Sequence, residues 1–307
     1  MNEHADIKYI SRKDIDTAKW DACIERADNG LIYACSFYLD AMAENWDALV
    51  MNDYNAVMPL TWKKKYGIHY LYQPFLTAQS GVFGNHIDGT LLNKFLKAVP
   101  GKFRYWDICL NRQNCFELKD FNLYHRMNYV LDLDKPYELI YQSYRENIQR
   151  NIRKSQELGN RVQKNFEAEK VIAIALKQMK TYIKEADGNA EKFRNIYKIL
   201  HSRQQAITYG IVSPQQELLS SCVFFFSHNR AFYILVGNQP GSKTTGASHA
   251  LIDAFIKDHS GKKMLLDFEG SDIPNLAFFY SSFGAAEEKY AAVKLNRLPF
   301  YMKWLKS

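Results

Sequence analysis

The order of helical and strand patterns repeats along this 307-residue chain, and that repeat limits it to a pair of similar mixed domains. The clearer copy reads helix, helix, three strands, helix, strand, helix, strand. Helical periodicity covers 167–184 and 190–205, and strand patterns cover 207–212, 218–226 and 232–236. The turn His228-Asn229-Arg230 makes a hairpin of the last two strands. A helix at 247–259, a strand at 264–268, a helix at 274–283 and a strand through 290–295 complete this copy. A weaker copy precedes it. Residues 14–28 carry a helical pattern with Ile15, Trp20 and Ile24, and Ser36 is placed to cap a second helix through Trp46. Strands at 48–51 and 56–62 follow, joined by the turn Asn52-Asp53-Tyr54-Asn55, then a helix at 91–99 and strands at 103–110 and 123–133. Between the copies Ile140, Tyr144, Ile148 and Ile152 recur every fourth residue and predict one helix over 136–158, ended by Gly159. The expected architecture is α+β, with domains at 1–135 and 161–307 and a basic linker helix at 136–160.

Composition narrows the functional classes. Hydrophobic residues at 47% and charged residues at 24% describe a globular chain and exclude a mostly disordered one. Twenty Tyr and 19 Phe against 15 Gly and 8 Pro fit a strand-rich core. Cys23, Cys35, Cys109, Cys115 and Cys222 show no CxxC spacing, and the eight His form no HExxH, so neither a disulfide framework nor a metal site is expected. The N-terminus is polar, and no apolar run approaches the roughly 20 residues that span a bilayer. A cytoplasmic protein without a membrane span is the expectation. The net charge of +7 permits an anionic partner without demanding one, and DNA is not expected.

Four segments can carry chemistry. Gly237 to Ser248, GNQPGSKTTGAS, lies between a strand and a helix, but a P-loop needs glycine immediately before the lysine, and Ser242 stands there. Thr245, Gly246, Ala247 and Ser248 open a helix whose free amides can hold an anion, with Lys243 adding charge; an ordinary surface cap is the alternative. In Pro274 to Gly284 the spacing of Leu276, Phe279, Tyr280 and Phe283 puts Tyr280 on a buried stripe, where packing and catalysis are both open to it. Asp267 and Glu269 stand two residues apart at a strand end, on one face, and can orient or deprotonate an amine; edge acids or helix caps would look the same. Arg145 to Lys164 concentrates +4 in twenty residues. There Arg150 and Lys154 are like charges four apart, while Glu146–Arg150 and Arg153–Glu157 are placed as favourable pairs of a solvated helix.

Together these segments resemble the tandem GNAT-fold acyltransferases, and more narrowly the FemAB-like branch with its bacterial acetyltransferase-like relatives. Lys243-x-x-Gly246-x-Ser248 is similar to the GNAT pyrophosphate loop Q/R-x-x-G-x-G/A. Tyr280 to Ala285 is similar to Y-x-x-x-G-F, with Ala285 in place of the phenylalanine. Asn147 to Gly159 resembles the basic helix that joins the two FemAB domains, and Leu266 to Ser271 with Ile273-Pro274 resembles the bacterial relatives. The clear match covers about 145–300. The resemblance implies two GNAT-like domains, each a mostly antiparallel mixed sheet flanked by helices. It implies an N-acyltransferase that moves an acyl group from acetyl-CoA or another acyl-CoA to an amine of a small molecule or peptide. Lys243, Thr244, Thr245, Gly246, Ala247 and Ser248 would face the donor diphosphate, Tyr280 would protonate the leaving thiolate, and Glu269 would guide the amine. An aminoacyl-tRNA-dependent FemAB-type transferase, with Arg150, Arg153 and Lys154 on the RNA, is the first alternative. No sustained heptad arm of the FemAB kind is present in the sequence. A non-catalytic GNAT-like binding protein is the second, favoured slightly by the altered loop residues.

Overall fold

A computed structural model describes residues 6–181, 185–270 and 272–299, without the side chain of Lys243. Met127–Glu288 forms one compact unit, and the described residues on either side of it form the other.

Along the chain the elements before residue 133 are β1 (Ile7–Ile10), α1 (Thr17–Arg26), α2 (Ser36–Met42), β2 (Asn45–Met51), β3 (Ala56–Lys65), β4 (Ile68–Tyr72), β5 (Phe83–Gly84), α3 (Gly89–Ala98), β6 (Phe103–Cys109) and β7 (Leu123–Asp132). Then come α4 (Tyr137–Gln142), α5 (Glu146–Glu157), β8 (Arg161–Lys164), α6 (Ala168–Met179), α7 (Ala186–Ser202), β9 (Ala206–Val212), β10 (Leu218–Ser227) and β11 (Arg230–Asn238). The last four are α8 (Ala247–His259), β12 (Leu265–Asp267), α9 (Pro274–Ser281) and β13 (Ala286–Asn296).

In the first unit the strand order is β1-β2-β3-β4-β6-β13, with β5 on β3. Among the described strands of this unit β4 and β6 pair in parallel, as the crossover through α3 requires. Val57, Met58, Leu60, Leu71, Phe95 and Trp106 are among its buried residues. The second unit repeats the scheme in the order β7-β12-β11-β10-β9-β8, with β11 and β12 as the parallel pair and α8 as the crossover. His228 and Asn229 both take positive φ (49° and 52°), the geometry of a two-residue hairpin turn between β10 and β11. Phe224, Phe255, Leu251, Ile252 and Leu266 lie at the centre of that unit's core.

The unit boundaries differ from 135 and 160. β7 pairs with β12 (Val130 opposite Asp267), and β13 pairs with β6 (Val293 opposite Ile108). The final strand of each copy therefore pairs with strands of the other copy, against the usual preference for sequential neighbours. The stretch 136–158 is two helices, both within the second unit. The chain is extended at Arg145 (φ −64°, ψ 151°), whose amide donates to Ser282 O at 2.9 Å. Docking against the end of α9 breaks the helix, while the predicted stripe of Ile140, Tyr144, Ile148 and Ile152 is buried in the core.

Candidate functional site

The parallel pair positions the candidate site. β11 and β12 register over three residue pairs, Arg230 with Leu265 through Phe232 with Asp267. β12 ends there, while β11 continues to Asn238. A parallel pair that separates at its carboxyl end leaves a crevice beside the crossover helix.

The connection from β11 to α8 is a glycine-bounded turn. Gly241 (φ 86°) and Gly246 (φ 70°) flank a 3-10 turn, Ser242–Thr245, and α8 begins at Ala247 with no side chain capping its first turn. The hydroxyl of Thr244 donates to Gly241 O at 2.7 Å and that of Thr245 to Ser242 O at 2.8 Å. Ser248 Oγ donates to Asn238 Oδ1 at 3.0 Å. These hydroxyls serve the turn itself, so the groups left to meet an anion are the backbone amides at the start of α8. Ser242 is 2% exposed, and its Oγ has no partner among the described residues. The side chain of Lys243 lies outside the described residues.

Gly246 has a structural duty that the sequence did not reveal. A Cβ there would fall 2.1 Å from the carbonyl oxygen of Asn151 on α5. The basic helix thus packs backbone to backbone against the turn, and only glycine allows it. Arg150, Arg153 and Lys154 are exposed on that helix. The pairs expected for them, Glu146–Arg150 and Arg153–Glu157, are not among the ion pairs of the described residues.

Tyr280, on α9, is 8% exposed and stacks on Phe268 with centroids 4.6 Å apart. Its pKa is pushed up to about 12, by burial first and then by the negative charge of Glu269. The phenol is therefore firmly protonated at neutral pH, and Glu269 lies within electrostatic reach of it. The stripe predicted around it holds only in part: Phe283, beyond the end of α9 at Ser281, is fully buried, whereas Leu276 in the first turn of α9 is 40% exposed.

The two acids do not share a face of a strand. Glu269 (φ 64°) and Gly270 (φ 79°) are left-handed, so the strand alternation stops after Asp267. The Glu269 amide donates to Asp267 Oδ1 at 2.9 Å. Asp267 itself is buried and structural: Arg230 reaches it at 2.6 Å and Glu288 at 2.6 Å, and Asn128 Nδ2 donates to Asp267 at 3.0 Å. Burial works against the charge on Arg230, but the bond to Glu288 and the charge of Asp267 outweigh it and hold the guanidinium ionised.

Sequence reasoning passed over His249, in the first turn of α8. Its ring meets Phe279 edge-on at 5.0 Å and lies 6.4 Å from Phe283, which joins the start of α8 to the helix bearing Tyr280. Burial lowers its pKa to about 4, and its Nδ1 has no partner among the described residues. A lone histidine in a predicted helix carries no spacing signal.

Among the described residues, no group of three or more His, Cys, Asp or Glu is placed to hold a metal ion, and no helix is long and apolar enough to cross a membrane.

No family model and no curated protein matches the sequence. Solved structures do. The chain is similar to FemX, with 13% identity, a TM-score of 0.64 and coverage of 97% of this chain and 99% of that one. It is similar to a conserved protein of unknown function from Bacteroides thetaiotaomicron VPI-5482, with 9% identity, a TM-score of 0.59 and coverage of 94% and 99%. It is also similar to a tandem GNAT protein from the clavulanic acid biosynthesis pathway, with 10% identity, a TM-score of 0.54 and coverage of 96% and 99%. At such identities the likeness is one of fold, and this chain has the GNAT/FemAB-like fold that FemX and the tandem GNAT protein share.

Proposed function

We propose that the protein is an N-acyltransferase that moves an acyl group from an acyl-CoA donor to an amine. The observation that carries this reading is the uncapped, glycine-bounded start of α8 beside the separating ends of β11 and β12. The backbone amides at the start of α8, with residues 244–248 and Lys243 around them, hold the donor diphosphate, and the acyl arm enters the crevice. Glu269 guides the acceptor amine, whose nitrogen lone pair attacks the thioester carbonyl. The carbon–sulfur bond breaks, and the departing thiolate takes the proton of the Tyr280 hydroxyl. The amine proton released on amide formation passes to Glu269 or to water. The acceptor is an amine of a small molecule or peptide.

A second donor class has one observation in its favour. Arg150, Arg153 and Lys154 are exposed beside the same turn, which suits the phosphates of an aminoacyl-tRNA as well as those of CoA.

Calorimetry with CoA separates the readings. Gly246 is unsuited as a probe, since any side chain there collides with Asn151. Thr244 is exposed, so Thr244→Glu places a negative charge in the turn without filling space in the core. Under the CoA reading the unmutated protein binds CoA and the variant binds it at least about tenfold more weakly, with an unchanged melting temperature. CoA binding that ignores Thr244→Glu contradicts the donor site. No CoA binding, together with salt-sensitive tRNA binding that is lost in the Arg150, Arg153 and Lys154 alanine variant, selects the second reading.

A further inference from the structure

A second basic site lies in the first unit, formed by the ends of three adjacent strands. Extending the β6–β13 ladder by one residue sets Arg297 opposite Arg104, and the Arg297 amide donates to Arg104 O at 2.8 Å. Directly opposed residues of an antiparallel pair project from the same face, and like charges so placed destabilise the sheet. Neither arginine has an ion-pair partner among the described residues. The Arg297 guanidinium is instead held 5.6 Å above the ring of Trp106.

The two arginines line a cleft of about 420 Å³ together with Lys102, His69, Ile68 and Leu298. Its volume falls within the range of small-ligand sites, about 300–1,000 Å³. No carboxylate lines it. Lys102 is fixed in place: its Nζ donates to Tyr9 Oη at 2.6 Å and lies 3.8 Å from Asp47, to which the same tyrosine donates. Asp47 thus offsets Lys102, and the charge of Arg104 and Arg297 is left uncompensated. His69 adds a ring whose pKa is lowered by burial and by Lys64 and Lys102, so it is neutral and can donate one N–H.

We propose that this cleft binds a phosphate-bearing anion, with Arg104 and Arg297 clasping the phosphate oxygens and Lys102 lining its wall. Two guanidinium forks on opposed strand residues match the several acceptor oxygens of a phosphate better than the two of a carboxylate. The apolar side of the cleft, Ile68 and Leu298, takes the organic part of the ligand. The site lies in the first unit, whereas the α8 turn lies in the second, so it needs no CoA donor.

Titration of the full chain with glycerol 3-phosphate at constant low ionic strength tests this. The expected result is binding that weakens at least about tenfold in Arg104→Ala/Arg297→Ala, weakens less in Arg104→Lys/Arg297→Lys, which keeps the charge but loses the forks, and ignores Thr244→Glu. The folding control is the melting temperature without ligand, which should hold or rise in the alanine variant as the like-charge repulsion is removed. Added phosphate should raise it only where the two positive charges remain. A parallel arm with phosphatidylglycerol vesicles identifies the source: arginine-dependent binding of the ester alone indicates a soluble ligand, and arginine-dependent binding of vesicles alone indicates a lipid headgroup. No binding to either at millimolar phosphate, or binding unchanged in the alanine variant, overturns the proposal.

Discussion

Tyr280→Phe should lower turnover about 100-fold, the lower end of what a positioned acid contributes, while leaving donor affinity within about twofold. The hydroxyl makes no hydrogen bond among the described residues, and the ring keeps its stack on Phe268, so stability should change by less than about 1 kcal/mol. The pH profile supplies an independent check. A phenol acting as acid must be protonated, and a pKa near 12 keeps it so well beyond the ordinary tyrosine range. The unmutated enzyme should therefore show no alkaline loss of kcat from tyrosine ionisation near pH 10, the usual phenol pKa. A Phe variant with the full rate assigns Tyr280 to packing alone.

Arg230→Met should cost about 3–5 kcal/mol of stability, the range found when one partner of a buried ion pair is removed. The methionine fits the space but strands Asp267, which is 2% exposed, and frees Glu288. Burial already raises the Asp267 pKa, and losing the opposing charge of Arg230 raises it further. The protonated, neutral form of Asp267 is then the one that folds well. The deficit should thus be smallest in acid and grow as pH rises through that raised value. Replacing Asp267 and Glu288 by Asn and Gln in the same chain should recover much of the loss, since no buried charge then lacks a partner. Thermal unfolding across pH measures both effects. A deficit that does not vary with pH would make Arg230 a packing residue. Activity should fall with stability, because this cluster ties the start of β11 to the end of β12 and to Glu288 of β13.

What the sequence made legible follows from local physics. Helix α8 was expected at 247–259 and is found at Ala247–His259, because apolar periodicity and a preceding left-handed glycine are local signals. The stripe from Ile140 to Ile152 was legible for the same reason, yet the break at Arg145 was not: its cause is the carbonyl of Ser282, more than a hundred residues away. Strand β8 escaped notice because all four of its side chains are exposed, leaving no alternation to read. The exchange of β7 and β13 between the sheets leaves no mark in the order of elements. At the site, Gly246 was read as part of an anion-holding helix start, while its tightest contact is the backbone of α5. Asp267 and Glu269 looked alike as neighbouring acids. Only the fold brings Arg230 and Glu288 to the first, and turns the backbone left-handed at the second.

The most direct measurement of the central claim is donor consumption. The purified chain is incubated with labelled acetyl-CoA, or with a longer acyl-CoA, and a panel of small and peptide amines, and new amide product and free CoA are quantified together. The account predicts one CoA released for each amide formed, dependent on an amine and about 100-fold slower with Tyr280→Phe. Amide formed only when aminoacyl-tRNA replaces acyl-CoA, or no amide from either donor, would contradict it.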